Sequence, residues 1–324
     1  MARDNKQIKP LISVIIPAYN TGRYISNIID SLLKQTMGQF EILIVDDGST
    51  DSTADIAESL LAKCDKPWRV IKTKNHGVSA ARNLGIQQST GDWIICVDSD
   101  DYIDPIMLEK LYDGVISYDA QCAFCSFKTC SIETISEYHT YDVGIKVYTR
   151  EEIKHANLTR RVLWALPTCL IKKEVALNLK YDIECPYSED TLYTWELIYS
   201  INKVVHINSD LYNYFQRNDS KQHTLTVSNC IKAIRQYQHL KEKLILENKE
   251  DIKFIESIVS KFILGAFHVL SQCVSYREFA SARKELHKLR VDNKMLKSYG
   301  LKLFIYDFLF RCTPVLFYSI SKLH

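Results

Sequence analysis

The chain has 324 residues, of which 46% are hydrophobic and 25% charged; it can bury the core of one large domain, or of a domain with an appendage, and its composition excludes disordered and fibrous classes. Lysine and arginine number 41 against 39 aspartates and glutamates, so bulk charge offers nothing to a nucleic-acid partner. Ten cysteines are scattered through apolar segments behind a start, "MARDNKQIKPLISVIIPAYN", that shows no signal-type cleavage site, and a reduced, cytoplasmic protein is expected.

Residues 11–17, "LISVIIP", form a continuous apolar run, the mark of a strand buried on both faces. "TGRYISNIIDSLLKQT" follows as a helix with Ile25, Ile28, Ile29, Leu32 and Leu33 at helical spacing. A second buried strand, "FEILIVD", ends at Asp46 and Asp47; a turn at Gly48 then leads to a helix capped by Asp51 or Ser52. "WRVIKT" is a third strand, "GVSAARNLGIQQS" a third helix and "DWIICVD" a fourth strand. This alternation specifies an α/β fold with a parallel sheet covered by helices, and such sheets bind ligands beyond the carboxyl ends of their strands. Cys122, Cys125 and Cys130 lack a second set at zinc spacing and read as the interior of a strand.

The strand ends carry an unusual load of acid. In "GDWIICVDSDDYIDP", five apolar residues lead into Asp98, Asp100, Asp101 and Asp104, carboxylates that raise one another's pKa unless a cation sits among them. A dinucleotide site would need a glycine-rich first turn, but here that turn reads "PAYNTG", and no G-x-x-x-x-G-K-[ST] loop occurs. A sheet without either device that binds phosphates neutralises them by other means, and a divalent cation held by Asp98 and Asp100 does so through oxygen ligands.

The stretches "SVIIPAYN", "SLLKQT", "FEILIVDDGSTDST", "NHGVSAARNLGI" and "GDWIICVDSDDYIDP", in this order, resemble the family 2 glycosyltransferases, inverting enzymes of the GT-A fold. A weaker similarity continues through residues 187–220. The resemblance implies a GT-A catalytic domain over residues 1–225, with a nucleotide-binding half at about 11–120 and an acceptor half at about 121–225. It also implies a nucleotide-sugar donor, with UDP favoured, and Mn²⁺ or Mg²⁺ as cofactor. Tyr19 and the backbone of Pro17, Ala18 and Asn20 would lie against the base, Asp47 would accept from its ring nitrogen, and Asp98 would sit near the ribose. Asp100, the second acid of the D-x-D, would bind the metal. Asp101 has two implied uses: capping the following helix or supporting the metal site.

For Arg82 and Asn83 two uses stand open, contact with the donor or a buried pair tying the third helix to the acidic strand ends; the second is preferred. His76, beside a glycine in a loop, reads as exposed. Inverting transfer requires a general base, and the family places it in an "ED" pair at a helix start. That pair is Glu189 and Asp190 in "CPYSEDTLYTWEL", with Asp190 as base and Glu189 as support; the same residues would also make an ordinary acidic helix start. "YFQRNDS" lacks the Q-x-x-R-W signature of processive synthases, so one sugar per encounter is expected, with Arg217 or His223 available to close over the diphosphate.

Residues 226–324 read as a helical region. The end, "LKLFIYDFLFRCTPVLFYSISKLH", is apolar nearly all round but interrupted by Asp307, Arg311 and Pro314, which argues against a membrane span. Peripheral attachment to the inner face of the cell membrane is favoured over a homodimer contact or docking on the catalytic domain. The expected function is transfer of one sugar to a glycan or lipid-linked oligosaccharide in surface polysaccharide synthesis. The alternatives are a non-catalytic nucleotide-sugar-binding subunit and a nucleotidyltransferase.

Overall fold

The computed structural model describes residues 9–130, 144–158, 165–184 and 189–215, together with Ala280. The chain divides into two compact units, Met1–Ile183 with Glu189–Ser220, and Glu184–Ser188 with Lys221–His324; the architecture below is that of the first. Arg217, His223 and the C-terminal apolar stretch lie outside the described residues. Among the described residues no helix is long and apolar enough to cross a membrane.

The strands β1 (Ile12–Ala18), β2 (Phe40–Asp46), β3 (Trp68–Lys72) and β4 (Trp93–Cys96) are joined through helices α1 (Ile25–Leu33), α2 (Thr53–Leu61) and α3 (Val78–Gln88). They pair in the order β3-β2-β1-β4, all parallel. Helical crossovers return the chain to the same end of the sheet, which makes these pairings parallel. β1, β2 and β4 are buried along their whole length, as their mainly apolar runs imply, and the polar pair inside them, Ser13 and Glu41, is hydrogen-bonded.

Beyond β4 the sheet changes character. Strand β5 (Tyr102–Ile103), helix α4 (Met107–Ser117), β6 (Cys122–Cys130), β7 (Gly144–Thr149), helix α5 (Arg150–Leu158), β8 (Cys169–Lys172), helix α6 (Lys173–Asn178), helix α7 (Glu189–Ser200) and β9 (Lys203–Phe215) follow in the chain. β8 runs antiparallel to β4 and to β6, while β9 pairs parallel with β6 and antiparallel with β5 and β7. The sheet is therefore mixed: its parallel part is the β3-β2-β1-β4 run plus the β6–β9 ladder. Cys122, Cys125 and Cys130 are buried in β6, in the strand interior their apolar neighbours imply.

Four residues of α1, Ile25, Ile28, Ile29 and Leu32, are fully buried, each contributing about 1.5–3 kcal/mol of apolar burial. Leu33, expected on the same face, is 41% exposed. Gln35 of "SLLKQT" is buried; its side chain donates to the carbonyls of Ser31 and Asp104 and accepts from Leu108 N–H, pinning the end of α1 to the segment after β4. Gly85 lets α3 lie close on β1, since a Cβ there would stand 2.3 Å from Ile15 Cγ2. That close approach places the preceding turn of α3, with Arg82, at the end of β4.

Candidate active site

Strand order reverses at β1, whose neighbours β2 and β4 connect to it in opposite directions; a crevice opens at such a point beyond the carboxyl ends. Pro17 and Ala18 close β1 inside the sheet. The β4 ladder ends at Ile15, so Pro17 stands where β1 keeps β2 as its register partner, a position that tolerates a missing N–H. Tyr19 follows at 46% exposure. Asn20 adopts φ 51°, the left-handed region that asparagine tolerates, and its side chain accepts from Thr50 N–H at 2.8 Å while its own N–H donates to Ser49 Oγ at 3.0 Å.

The acids after β2 stitch neighbouring loops together. Asp46 accepts from Ser49 N–H. Asp47 is 3% exposed and accepts from His76 N–H and Gly77 N–H, one on each oxygen and both at 2.8 Å. The residue expected to meet the base thus also fixes the loop that starts α3. His76 itself is exposed. Asp51 does the capping at α2, accepting from Thr53 N–H at 3.0 Å, and also takes Gly22 N–H; Ser52 makes no side-chain cap bond.

The knot after β4 separates into distinct roles. Asp101 is fully buried, with one oxygen accepting from the Tyr212 hydroxyl and the other from Phe215 N–H at 2.7 Å. Its side chain holds β9, which corrects the helix-capping expectation; near the start of α4 it is Asp104 that accepts from Ile106 N–H. Burial, and then the charges of Asp98 and Asp100, push Asp101 up to about 8. The Tyr212 hydroxyl also accepts from Asp98 N–H at 3.3 Å. Asp98 Oδ1 receives Arg82 Nη2 at 3.0 Å, and Asp100 is partly exposed.

Glu189 and Asp190 open α7, where acids suit the helix dipole. Arg82, its side chain 6% exposed, reaches them from α3: Nη1 lies 2.9 Å from Asp190 Oδ1 and 3.4 Å from Glu189 Oε1. Its guanidinium lies over the Tyr181 ring at 5.2 Å, and Tyr181 stacks on Tyr193 at 4.0 Å. Asn83 does not reach the acids; it exchanges hydrogen bonds with the Tyr181 backbone at 2.8 and 2.9 Å. Burial followed by the Asp190 charge lifts Glu189 to about 7. Burial also raises Asp190, against the opposing pull of Arg82. Arg82 is displaced upward because its carboxylate partners outweigh its burial.

A divalent cation can be tested against these donors. Among the described residues no group of three or more His, Cys, Asp or Glu is assembled to hold a metal, so an all-protein cage is not offered. A site of the magnesium type needs only one or two carboxylates, with phosphate and water completing the shell. Asp100 meets that need, Asp101 being committed to β9 and Asp98 to Arg82, and a cation there would relieve the repulsion among these carboxylates. The residues fit the group. Sequence reasoning does not single out Tyr181, Tyr212 or Gly85: each acts on a partner distant in the chain, and no local signal marks it.

A family model described as glycosyl transferase family 2 matches residues 13–172. "Uncharacterized glycosyltransferase EpsJ" of Bacillus subtilis is 33% identical over 65% of this chain and 62% of its own length; the chain thus spans less than two thirds of that relative. "Glycosyltransferase GlyG" of Streptococcus pneumoniae is 33% identical over 66% of this chain and 73% of its own. In fold, Staphylococcus aureus TarS 1–349 in complex with UDP matches with a TM-score of 0.67 at 20% identity, covering 96% of this chain and 90% of that one. The mannosyltransferase PcManGT of Pyrobaculum calidifontis, in complex with GDP-Man and Mn²⁺, matches at 0.55 and 13% identity over 97% and 86%. With its sheet switching direction at β1, its acids after β4 and these relatives, the chain has the GT-A fold and belongs to glycosyltransferase family 2.

Proposed function

We propose that the enzyme transfers one sugar from a UDP-sugar to a hydroxyl of a glycan or lipid-linked oligosaccharide, with inversion, and that Asp190 is the general base. The observation that carries this reading is the convergence of the acid loop after β4 and the α7 carboxylates on Arg82, with Asp98 and Asp190 both within 3.0 Å of it. Donor-side and acceptor-side acids thereby face one crevice. UDP is favoured because the TarS structure that this fold matches holds UDP.

Tyr19 offers an exposed ring for the base, and Asp98 stands where a ribose hydroxyl can donate to it. Asp190 is 48% exposed at its side chain, open to an incoming hydroxyl. Among the described residues its Oδ1 is engaged by Arg82, which leaves Oδ2 for the acceptor proton. As the acceptor oxygen bonds to the anomeric carbon, the bond from that carbon to the diphosphate breaks and the nucleoside diphosphate leaves with the electron pair. Asp100 would hold a divalent cation, which would neutralise charge on that diphosphate. Glu189, lifted to about 7, carries only part of its negative charge beside the base at neutral pH.

The test is release of nucleoside diphosphate from a panel of donors, with manganese, with magnesium and with chelator. A UDP-sugar is expected to lead, with activity lost on chelation. Asp190→Asn is expected to retain UDP binding and lose about 10²–10⁴-fold in turnover. Near-normal turnover by that variant removes Asp190 from the role, and failure to take up any sugar nucleotide with either metal removes the reading as a whole.

A further inference from the structure

Arg82 is shared by acids from two parts of the fold. It comes from α3, on the nucleotide side, yet it touches Glu189 and Asp190 at the start of α7, 107 and 108 residues away in the chain. We propose that Arg82 is the positioning residue of the transfer reaction: one buried guanidinium holds Asp98 and Asp190 in fixed register across the crevice. The inference rests on Asp190 being the base.

The geometry uses both arms of the guanidinium. Nη2 serves Asp98 at 3.0 Å, while Nη1 serves Asp190 at 2.9 Å with Glu189 at 3.4 Å. A planar fork can hold two carboxylates at once, whereas an ammonium is a single point charge. The Arg82 side chain is 6% exposed while its partners Asp98 and Asp190 are 29% and 48% exposed, so the guanidinium is shielded from water and the carboxylates face the solvent side. The face of the guanidinium rests on Tyr181, and Tyr181 is in turn clamped by Asn83 through both backbone groups. α3 therefore supplies both the cation and the clamp that keeps its aromatic support in place, and Gly85 sets the depth of the whole helix on β1.

Such an arrangement does two things for a base. It fixes Oδ1, so that Oδ2 presents to the acceptor in one orientation, and it opposes the burial that would protonate Asp190. Among the described residues the ionisable groups around Asp190 are Arg82 from α3, Cys96 from β4, Asp98 just beyond it, Glu189 from α7 and Tyr181 ahead of α7. Among these Arg82 is the cation, so its removal moves Asp190 in one direction, toward protonation at higher pH.

The experiment uses the full chain with Arg82→Lys and Arg82→Gln, measuring kcat at saturating donor and acceptor from about pH 5 to about pH 9, UDP binding by calorimetry, and thermal melts. For Arg82→Lys the expected result is UDP affinity within a few-fold of wild type, kcat lower by about 10–100-fold, and an acid limb of the kcat profile moved upward by about one pH unit. Arg82→Gln moves the limb further. If Arg82→Gln does not fold, Arg82→Lys, which keeps the buried charge, decides the matter. Loss of UDP binding with an unmoved acid limb makes Arg82 a donor contact and overturns the proposal. A lowered melting temperature with unmoved limb and kcat makes it structural and overturns it equally. Asp190→Asn separates the two levels: an active Asp190→Asn sinks the base assignment beneath, while an inactive one beside an unmoved Arg82→Lys limb sinks the role of Arg82 alone.

Discussion

Replacing Tyr212 by Phe removes one oxygen that serves two buried groups. The hydroxyl donates to Asp101, which is fully buried, and accepts Asp98 N–H at 3.3 Å. Phenylalanine fills the same space, so the change isolates the polar loss. A hydrogen bond to a charged group contributes about 1.5–3 kcal/mol and a neutral one about 1 kcal/mol; with the long Asp98 contact at the low end, Tyr212→Phe costs about 2–4 kcal/mol where Asp101 is charged and about 1–2 kcal/mol where it holds its proton. The loss depends on pH with a definite sign. Asp101 holds its proton up to about 8 in the fold against an ordinary value of 3.8, so its contribution is complete below about pH 4 and fades as pH rises through about 8. The donor from Tyr212 matters most once the carboxylate is charged, and the cost is therefore larger at about pH 9 than at about pH 6. Urea denaturation of wild type, Tyr212→Phe, Asp101→Asn and the double variant measures it, with a coupling of about 1–3 kcal/mol expected between the two positions. A loss below about 0.5 kcal/mol at both pH values would refute the account of Asp101 as the latch between the acid loop and β9.

Two further outcomes follow from the same network. Gly85→Ala puts a methyl 2.3 Å from Ile15 Cγ2; overpacking of about 1–3 kcal/mol exceeds most of the helix propensity gained, about 1 kcal/mol, and α3 shifts outward with Arg82. Reduced kcat in a folded, less stable protein is expected, and unchanged kcat with unchanged urea midpoint contradicts it. Glu189→Gln removes a carboxyl whose native value of about 7 exceeds its ordinary 4.5. Wild-type stability from this group is full below about pH 4.5 and lost through about pH 7, so the variant gains on wild type by roughly 1–3 kcal/mol on going from acid to about pH 8. Parallel stability–pH curves for the two proteins exclude that origin.

Much of the fold was legible because its signals are local. The apolar run at 11–17, the strand "FEILIVD" ending at Asp46, helical spacing at Ile25, Ile28, Ile29, Leu32 and Leu33, and a turn glycine at Gly48 each act over a few residues, and their alternation dictates the parallel β3-β2-β1-β4 run. The second half was less legible, because β9 pairs with three strands of different chain direction, and no short pattern encodes such partners. Within the site, the acids and the ED pair could be found as residues, but their division of labour could not.

The sequence by itself determined the family, the α/β layout of the β3-β2-β1-β4 run, and the carboxylates gathered after β4 and at the start of α7, since motif order and periodicity are properties of neighbouring residues. Tertiary structure alone decided that Asp101 faces inward to Tyr212 and Phe215, that Asp47 holds the loop ahead of α3, and that Arg82 joins Asp98 to Asp190. Those contacts close over 16 to 114 residues of chain. At such separations a hydrogen bond depends on how helices and strands pack, and packing is set by the whole core.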